Sequence, residues 1–320
     1  MNDKQATIFE LPIPHANGSV RTHLTEKFPL FNEQGNVYGM CGLATDITHQ
    51  KEIETALISS HKKITDSIQF ASLIQNALLP EMKIIDEHFE DTFIIWEPKD
   101  VVGGDIFFFE ELRNHNEVLL LVIDCTGHGV PGAFVTALVK AVEEQMISLI
   151  KNADFQISPA KILGFFNQNL KRLLKQESKD SISNAGFDGG VLYYNKNNNI
   201  MKFAGAETPL FLIQDQKMKI IKGNRQSIGY KKSDRNYKFT DHTINLDTET
   251  FLYITTDGFL DQNGGKKGFP FGKKQFKQLL LDHYQNDFAA QKKAYLKAIR
   301  KYHGSEEKND DMTFLGLKIK

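Results

Sequence analysis

Four aspartates limit what this chain can fold into more than any other feature. Each stands at the end of a strand-like apolar run, beside glycine or small polar residues. They read Val101-Val102-Gly103-Gly104-Asp105, Leu121-Val122-Ile123-Asp124, Tyr253-Ile254-Thr255-Thr256-Asp257-Gly258 and Asn309-Asp310-Asp311-Met312-Thr313, the last preceding its strand. An aspartate at a strand terminus projects its carboxylate into a site instead of a core. Several such carboxylates brought together repel one another unless a cation lies between them. Hard divalent cations, magnesium or manganese, take all-oxygen ligand sets. A fold that unites Asp105, Asp124, Asp257 and Asp310 would build a carboxylate-only, two-metal centre, and that class of site hydrolyses phosphate esters. Asp310 and Asp311 are neighbours whose side chains point to different sides, so only one of them enters the site. Asp188, in Phe187-Asp188-Gly189-Gly190, and Asp261 read as structural residues.

Composition excludes other classes. The 320 residues carry 39 basic and 40 acidic side chains, a net charge of −1. That balance gives no electrostatic footprint for nucleic acid or an anionic membrane. Two cysteines, Cys41 and Cys125, make neither a disulfide framework nor a thiolate zinc site, and point to a reducing interior. No apolar run approaches the ~18 residues of a membrane helix, and no signal peptide is visible. The expected address is the cytoplasm.

The chain changes character along its length. Phe28–Phe31 and Val37–Ala44 are strand-like, with a hairpin turn at Asn32–Asn36. Gln50 to Leu79 contains neither Pro nor Gly. Ile53, Leu57, Ser60, Ile64, Ser67, Ala71, Ile74 and Leu78 recur in steps of three and four, which predicts a helix capped by Thr48 and stopped by Pro80. The seam suits a paired helix; a single amphipathic helix lying on the following domain has the same pattern. Strands then follow over 93–96, 106–109 and 118–123, and helices over 131–150 and 159–174. Hairpins fill 187–213, a strand 251–256, helices 273–280 and 289–301, and a last strand 313–319. Strands in runs with helical pairs between them predict an α+β architecture of antiparallel sheets covered by helices.

The segment Asp124-Cys125-Thr126-Gly127-His128-Gly129-Val130-Pro131-Gly132-Ala133 is the most informative. A buried strand ends in a carboxylate, a glycine-flanked histidine follows, and a helix begins. Carbonyls of such a loop can ligate metal, and its amides can face an anion at the helix N-terminus. His128 can serve as a general acid or simply hydrogen-bond the backbone; the sequence leaves both open.

Together these blocks resemble the SpoIIE-type, RsbU-like protein serine/threonine phosphatases, a bacterial branch of the metal-dependent protein phosphatase 2C-like fold. The resemblance runs from about Ile74 to Lys320. Ala77-Leu78-Leu79-Pro80, Gly103-Gly104-Asp105, Asp124 to Ala133, Phe203 to Leu210, Thr256-Asp257-Gly258 and Asp310-Asp311-Met312-Thr313 fall in the family's order. It implies a four-layer αββα sandwich holding two manganese or magnesium ions. Asp105, Asp124 and the Cys125 carbonyl would bind one ion, with Asp124 bridging to a second held by Asp257 and Asp310. It further implies hydrolysis of phosphoserine or phosphothreonine by a metal-activated water, on a small regulatory protein such as a STAS-type anti-sigma-factor antagonist. Phe108 departs from the pattern, because many relatives carry an acid there. Cys125 replaces a small residue, but only its backbone is needed. His128 sits further from Asp124 than the catalytic histidine of the eukaryotic relatives. Residues 1–48 resemble the last strands of a PAS sensor, with Thr45-Asp46-Ile47-Thr48 as its exit; no heme or flavin is expected. The expected organisation is a PAS end at 1–48, a signalling helix at 49–80 that mediates a homodimer through residues 50–80, and a phosphatase domain at 81–320. Two rivals remain: a pseudophosphatase that binds a phosphoprotein, supported by Phe108, and a degenerate nucleotide cyclase, supported by Gly103-Gly104-Asp105 alone.

Overall fold

The computed structural model describes residues 5–113, 115–152, 156–178 and 180–319. The chain forms two compact units, Met1–Ser67 and Ile68–Lys320. In the first, β1 (Thr7–Pro14), β2 (Val20–Phe31) and β3 (Val37–Asp46) make an antiparallel sheet in that order. Asn32 closes the β2–β3 turn, its side-chain oxygen accepting from the amides of Gln34 and Asn36. β1 has no clear strand signal in the sequence. It carries Pro12 and Pro14, which only an edge strand tolerates. Helix α1 (Thr48–Ala77) follows. Its side-chain cap is Asp46 and not Thr48: Asp46 Oδ1 takes the Thr48 amide at 3.0 Å and its hydroxyl at 2.6 Å.

The second unit contains, in order, α2 (Met82–Asp86), β4 (Asp91–Glu97), β5 (Asp105–Glu111), β6 (Glu117–Cys125), α3 (Gly129–Lys151), α4 (Pro159–Leu173), β7 (Phe187–Asn195), β8 (Ile200–Ala206), β9 (Leu210–Gln214), β10 (Lys217–Ile221) and β11 (His242–Asn245). There follow β12 (Thr250–Thr255), α5 (Asp257–Asp261), the short pair β13 (Asn263–Gly264) and β14 (Phe269–Pro270), α6 (Gly272–His283), α7 (Phe288–His303) and β15 (Met312–Ile319). Two five-stranded sheets result, ordered β11-β8-β7-β6-β5 and β10-β9-β12-β15-β4, with antiparallel ladders throughout.

Both faces of each sheet are covered, which explains strands that are almost continuously apolar. Successive side chains of β5 show it. Phe107 and Phe109 face the layer between the sheets, with Leu120, Val122, Leu252, Ile254 and Leu315. Ile106 and Phe108 face the other way, against Val139, Val142, Leu163 and Phe166 of α3 and α4. The second sheet repeats the division: Phe93, Phe211, Tyr253 and Phe314 pack on Phe276, Phe288 and Tyr295 of α6 and α7. Four layers follow, helix–sheet–sheet–helix. Phe108 lies in the α3 layer, buried, with the Lys140 ammonium 5.1 Å over its ring. An acid at that position would face α3 instead of sharing the side of Asp105.

Candidate metal centre

Strand register brings the first carboxylates together. Asp105 on β5 stands opposite Asp124 on β6, and Asp124 stands opposite Asp188 on β7. Three acids therefore lie side by side at one end of one sheet. The facing sheet supplies two more: Asp257 opens α5 directly after β12, and Asp310 lies just before β15. Burial, then the charges of Asp310 and Asp261, raises the Asp257 carboxyl above its usual range. Burial, then the charges of Asp105, Asp257, Asp310 and Asp188 in turn, pushes the Asp124 carboxyl well above its usual range. Thus all four predicted aspartates meet at one place, and Asp188, read from sequence as structural, joins them. Asp261 ends α5, exposed.

The acids are held as well as gathered. Asp105 is buried and its Oδ2 accepts from the Thr256 hydroxyl at 2.6 Å; that hydroxyl accepts from the Thr313 amide at 2.9 Å. Asp310 and Asp311 part as expected. Asp310 is exposed, whereas Asp311 is buried and takes the amides of Lys99 at 2.7 Å and Gly104 at 2.6 Å. Asp311 thereby ties the Gly103-Gly104 turn to the second sheet. The turn needs its glycines because backbone crowds it. A Cβ on Gly104 would lie 2.2 Å from the Gly127 carbonyl oxygen and 2.8 Å from that of Cys125. The Cys125 carbonyl thus sits beside the turn, while its thiol is buried in the core under α3.

A further hold comes from α1. The Gln75 side chain, buried at 3% exposure, accepts from the Gly103 amide at 3.0 Å and donates to the Gly103 carbonyl at 2.7 Å and to Thr136 Oγ1 at 3.2 Å. Losing such a buried bidentate bond costs about 1–3 kcal/mol. Gln75→Leu is therefore expected to weaken Mn2+ binding about tenfold, read by calorimetric titration of the metal-free protein; an unchanged affinity contradicts the coupling.

His128 is turned elsewhere. Its Nδ1 lies 2.8 Å from Asp100 and its Nε2 3.2 Å from the Lys99 ammonium. Among the described residues it has no hydrogen bond to any of the clustered aspartates. A separate trio, Glu110, Glu143 and Glu144, brings its carboxylate oxygens within 4.8 Å of one another. Lys140 Nζ already stands among them at 3.2, 2.7 and 3.0 Å, so an ammonium supplies that countercharge.

The aspartate cluster has no such partner. Among the described residues, none of Asp105, Asp124, Asp188, Asp257 and Asp310 forms an ion pair, and Asp188 Oδ1 is buried without a hydrogen bond. Oxygen-only donors, uncompensated and converging, fit hard divalent cations. Asp105 is pushed up to about 8, first by burial and also by the charges of Asp311 and Asp257, against the hydrogen bond from Thr256. The folded chain then keeps a proton that the unfolded chain gives up near pH 4. Metal-free stability is expected to fall as pH rises from about 4 toward 8, and Mn2+ should restore it at the upper end. Thermal melts of chelated and Mn2+-loaded protein check this; a chelated melting temperature that rises over that interval contradicts it.

Comparison with known proteins accords with this geometry. The family model described as stage II sporulation protein E (SpoIIE) matches residues 114–320. The SiaA-PP2C domain of Pseudomonas aeruginosa is 33% identical, with 82% of this chain and 99% of that one covered and a TM-score of 0.70. The PP2C phosphatase domain of SpoIIE from Bacillus subtilis, with a fragment of its regulatory domain, shares 16% identity over 72% of this chain and 63% of that one, at a TM-score of 0.55. Serine/threonine phosphatase Stp1 from Staphylococcus aureus, 12% identical over 72% and 94%, has the same fold at a TM-score of 0.53. A comparison with curated proteins gave no match. The chain belongs to the SpoIIE family of PP2C-type protein serine/threonine phosphatases.

Proposed function

We propose that this chain hydrolyses phosphoserine or phosphothreonine on a regulatory protein, of the STAS anti-sigma-factor-antagonist type, with two Mn2+ or Mg2+ ions held by Asp105, Asp124, Asp257, Asp310 and the Cys125 carbonyl. The observation that carries the reading is Asp124, which feels four other carboxylates from both sheets and no cation of the protein. Ions bound there would lower the pKa of a water and offset the charge of the phosphate. In the reaction the water oxygen bonds to phosphorus, the bond from phosphorus to the Ser or Thr oxygen breaks, and that oxygen takes up a proton. The protein's own part is positional. Thr256 orients Asp105, and Asp311 fixes the Gly103-Gly104 turn. Hydrolysis of p-nitrophenyl phosphate and a phosphothreonine peptide, with Mn2+ and after chelation, tests the proposal. Turnover of a nucleotide instead would favour the cyclase, and background rates throughout would favour the pseudophosphatase.

Regulation is proposed to enter through α1 as a homodimer over residues 50–80. Ile53, Leu57, Ile64 and Ile74 of the heptad seam all lie exposed along that helix, and Gln75 one residue on grips the Gly103 backbone. Pairing that displaces this end of the helix would alter the turn preceding Asp105. Sedimentation should give a dimer for the natural chain and a monomer for Leu57→Glu/Ile64→Glu; a monomeric natural chain removes the proposal.

A further inference from the structure

We infer that the segment from Lys217 to Lys238 is the docking face for the substrate protein, and that this protein presents an acidic surface beside its phosphoresidue. The inference rests on the phosphatase reading above and adds the chemistry of the substrate. Its first support is charge. The chain as a whole is balanced at 39 basic and 40 acidic residues. In this segment alone Lys217, Lys219, Lys222, Arg225, Lys231, Lys232, Arg235 and Lys238 face one acid, Asp234. All eight side chains are exposed. Among the described residues, Lys222, Arg225, Lys232 and Lys238 have no ion-pair partner, whereas Arg235 pairs with Glu177. A solvated lysine run is the ordinary explanation for such charge, so location has to decide.

The segment borders the aspartate cluster. β10 runs back toward the cluster end of its sheet, pairing Ile221 with Leu210. The Asn224 carbonyl then accepts from the Glu207 amide at 2.8 Å, and Ile228 exchanges backbone hydrogen bonds with Phe187, the neighbour of Asp188. Tyr230 Oη accepts from Thr126, two residues after Asp124, at 2.8 Å. Lys222 and Arg225 therefore stand at the rim of the site.

The segment is also built as a platform. From 222 to 241 it lacks helix and strand, yet buried polar groups from α4 and the turn after it fix its backbone. Lys171 Nζ donates to the carbonyls of Tyr230, Lys231 and Ser233, at 2.7, 3.1 and 2.7 Å. Asn167 takes the Gly229 amide and donates to the Asp234 carbonyl, and Gln176 donates to the Gly229 carbonyl. A loop whose backbone is anchored while its cations stay free offers fixed positive charge to a partner. Nucleic acid would want exposed rings to stack on. Here Tyr230 is bonded to Thr126, and Tyr237 packs edge-on against Phe239. An acidic protein surface fits better.

The test uses the full chain with Mn2+, p-nitrophenyl phosphate, and three phosphothreonine peptides of equal length with acidic, neutral or basic flanks. The natural chain should favour the acidic peptide over the neutral one about tenfold in kcat/KM at low salt, through KM, with the gap closing as salt rises. Lys222→Glu/Arg225→Glu/Lys232→Glu should abolish or reverse that preference and leave p-nitrophenyl phosphate turnover unchanged. No preference in the natural chain, or one that survives in the variant, overturns the inference, as does tighter binding of a single-stranded oligonucleotide than of the acidic peptide. If the triple variant does not fold, the salt dependence in the natural chain and the single Lys232→Gln decide in the same way. Failure to hydrolyse p-nitrophenyl phosphate or any peptide would sink the phosphatase reading itself, a different result from hydrolysis without charge preference.

Discussion

Asp257→Asn is expected to lower Mn2+-dependent turnover of p-nitrophenyl phosphate by about 10³-fold, because a lost ligand removes several kcal/mol of charge stabilisation from the transition state. The substitution keeps size and one acceptor oxygen and deletes a charge that Asp124 now feels. Removing it relieves repulsion in the metal-free protein. The chelated variant should therefore melt at or above the chelated natural chain, while the rise in melting temperature on adding Mn2+ should shrink. This pairing separates a ligand from a merely structural aspartate, whose loss would lower the chelated melting temperature. Retained turnover at saturating Mn2+ would remove Asp257 from the centre.

Gly104→Ala should be the next most damaging change, although it touches no charge. Its new methyl would meet the Gly127 and Cys125 carbonyl oxygens at 2.2 and 2.8 Å, both backbone atoms that cannot swing aside. Gly132, in the first turn of α3, closes the same space: a Cβ there would lie 2.1 Å from the Gly127 oxygen and 2.8 Å from the Gly104 amide nitrogen. The backbone must move, and it carries Asp105 and the Cys125 carbonyl. Overpacking of this kind costs about 1–3 kcal/mol in stability, and misplacing catalytic groups by about 1 Å costs about 10²-fold in rate. A variant that folds with a normal far-ultraviolet circular dichroism spectrum and loses that much kcat fits the expectation. Natural rates would mean the turn is free to shift without consequence.

Much of the architecture was legible because it is written in local periods. Apolar runs located β4 to β9, β12 and β15, three-and-four spacing located α1, and α3, α4, α6 and α7 also fall within a few residues of their expected helices. What escaped were the pieces with weak local signals. β10 is interrupted by Lys217 and Lys219, β11 contains a single aliphatic residue, Ile244, and β1 carries two prolines. All three are edge strands, held by one neighbour each, so they need less apolar surface than a central strand. α5 is five residues long, too short for a period to show.

The site divides in the same way. The sequence by itself determined which residue types stand at strand ends, and hence that Asp105, Asp124, Asp257 and Asp310 were available to one another. Tertiary structure alone decided how they meet and what supports them. Register across β6 and β7 places Asp188 opposite Asp124. Two backbone amides draw Asp311 away from solvent and leave Asp310 facing outward. Gln75, an unremarked position in the heptad run, closes on Gly103 across 28 residues of sequence. The physical reason is range. A period is set by a residue's nearest neighbours along the chain, whereas a carboxylate's partner and ionisation are set by whatever the folded sheets bring within a few ångströms.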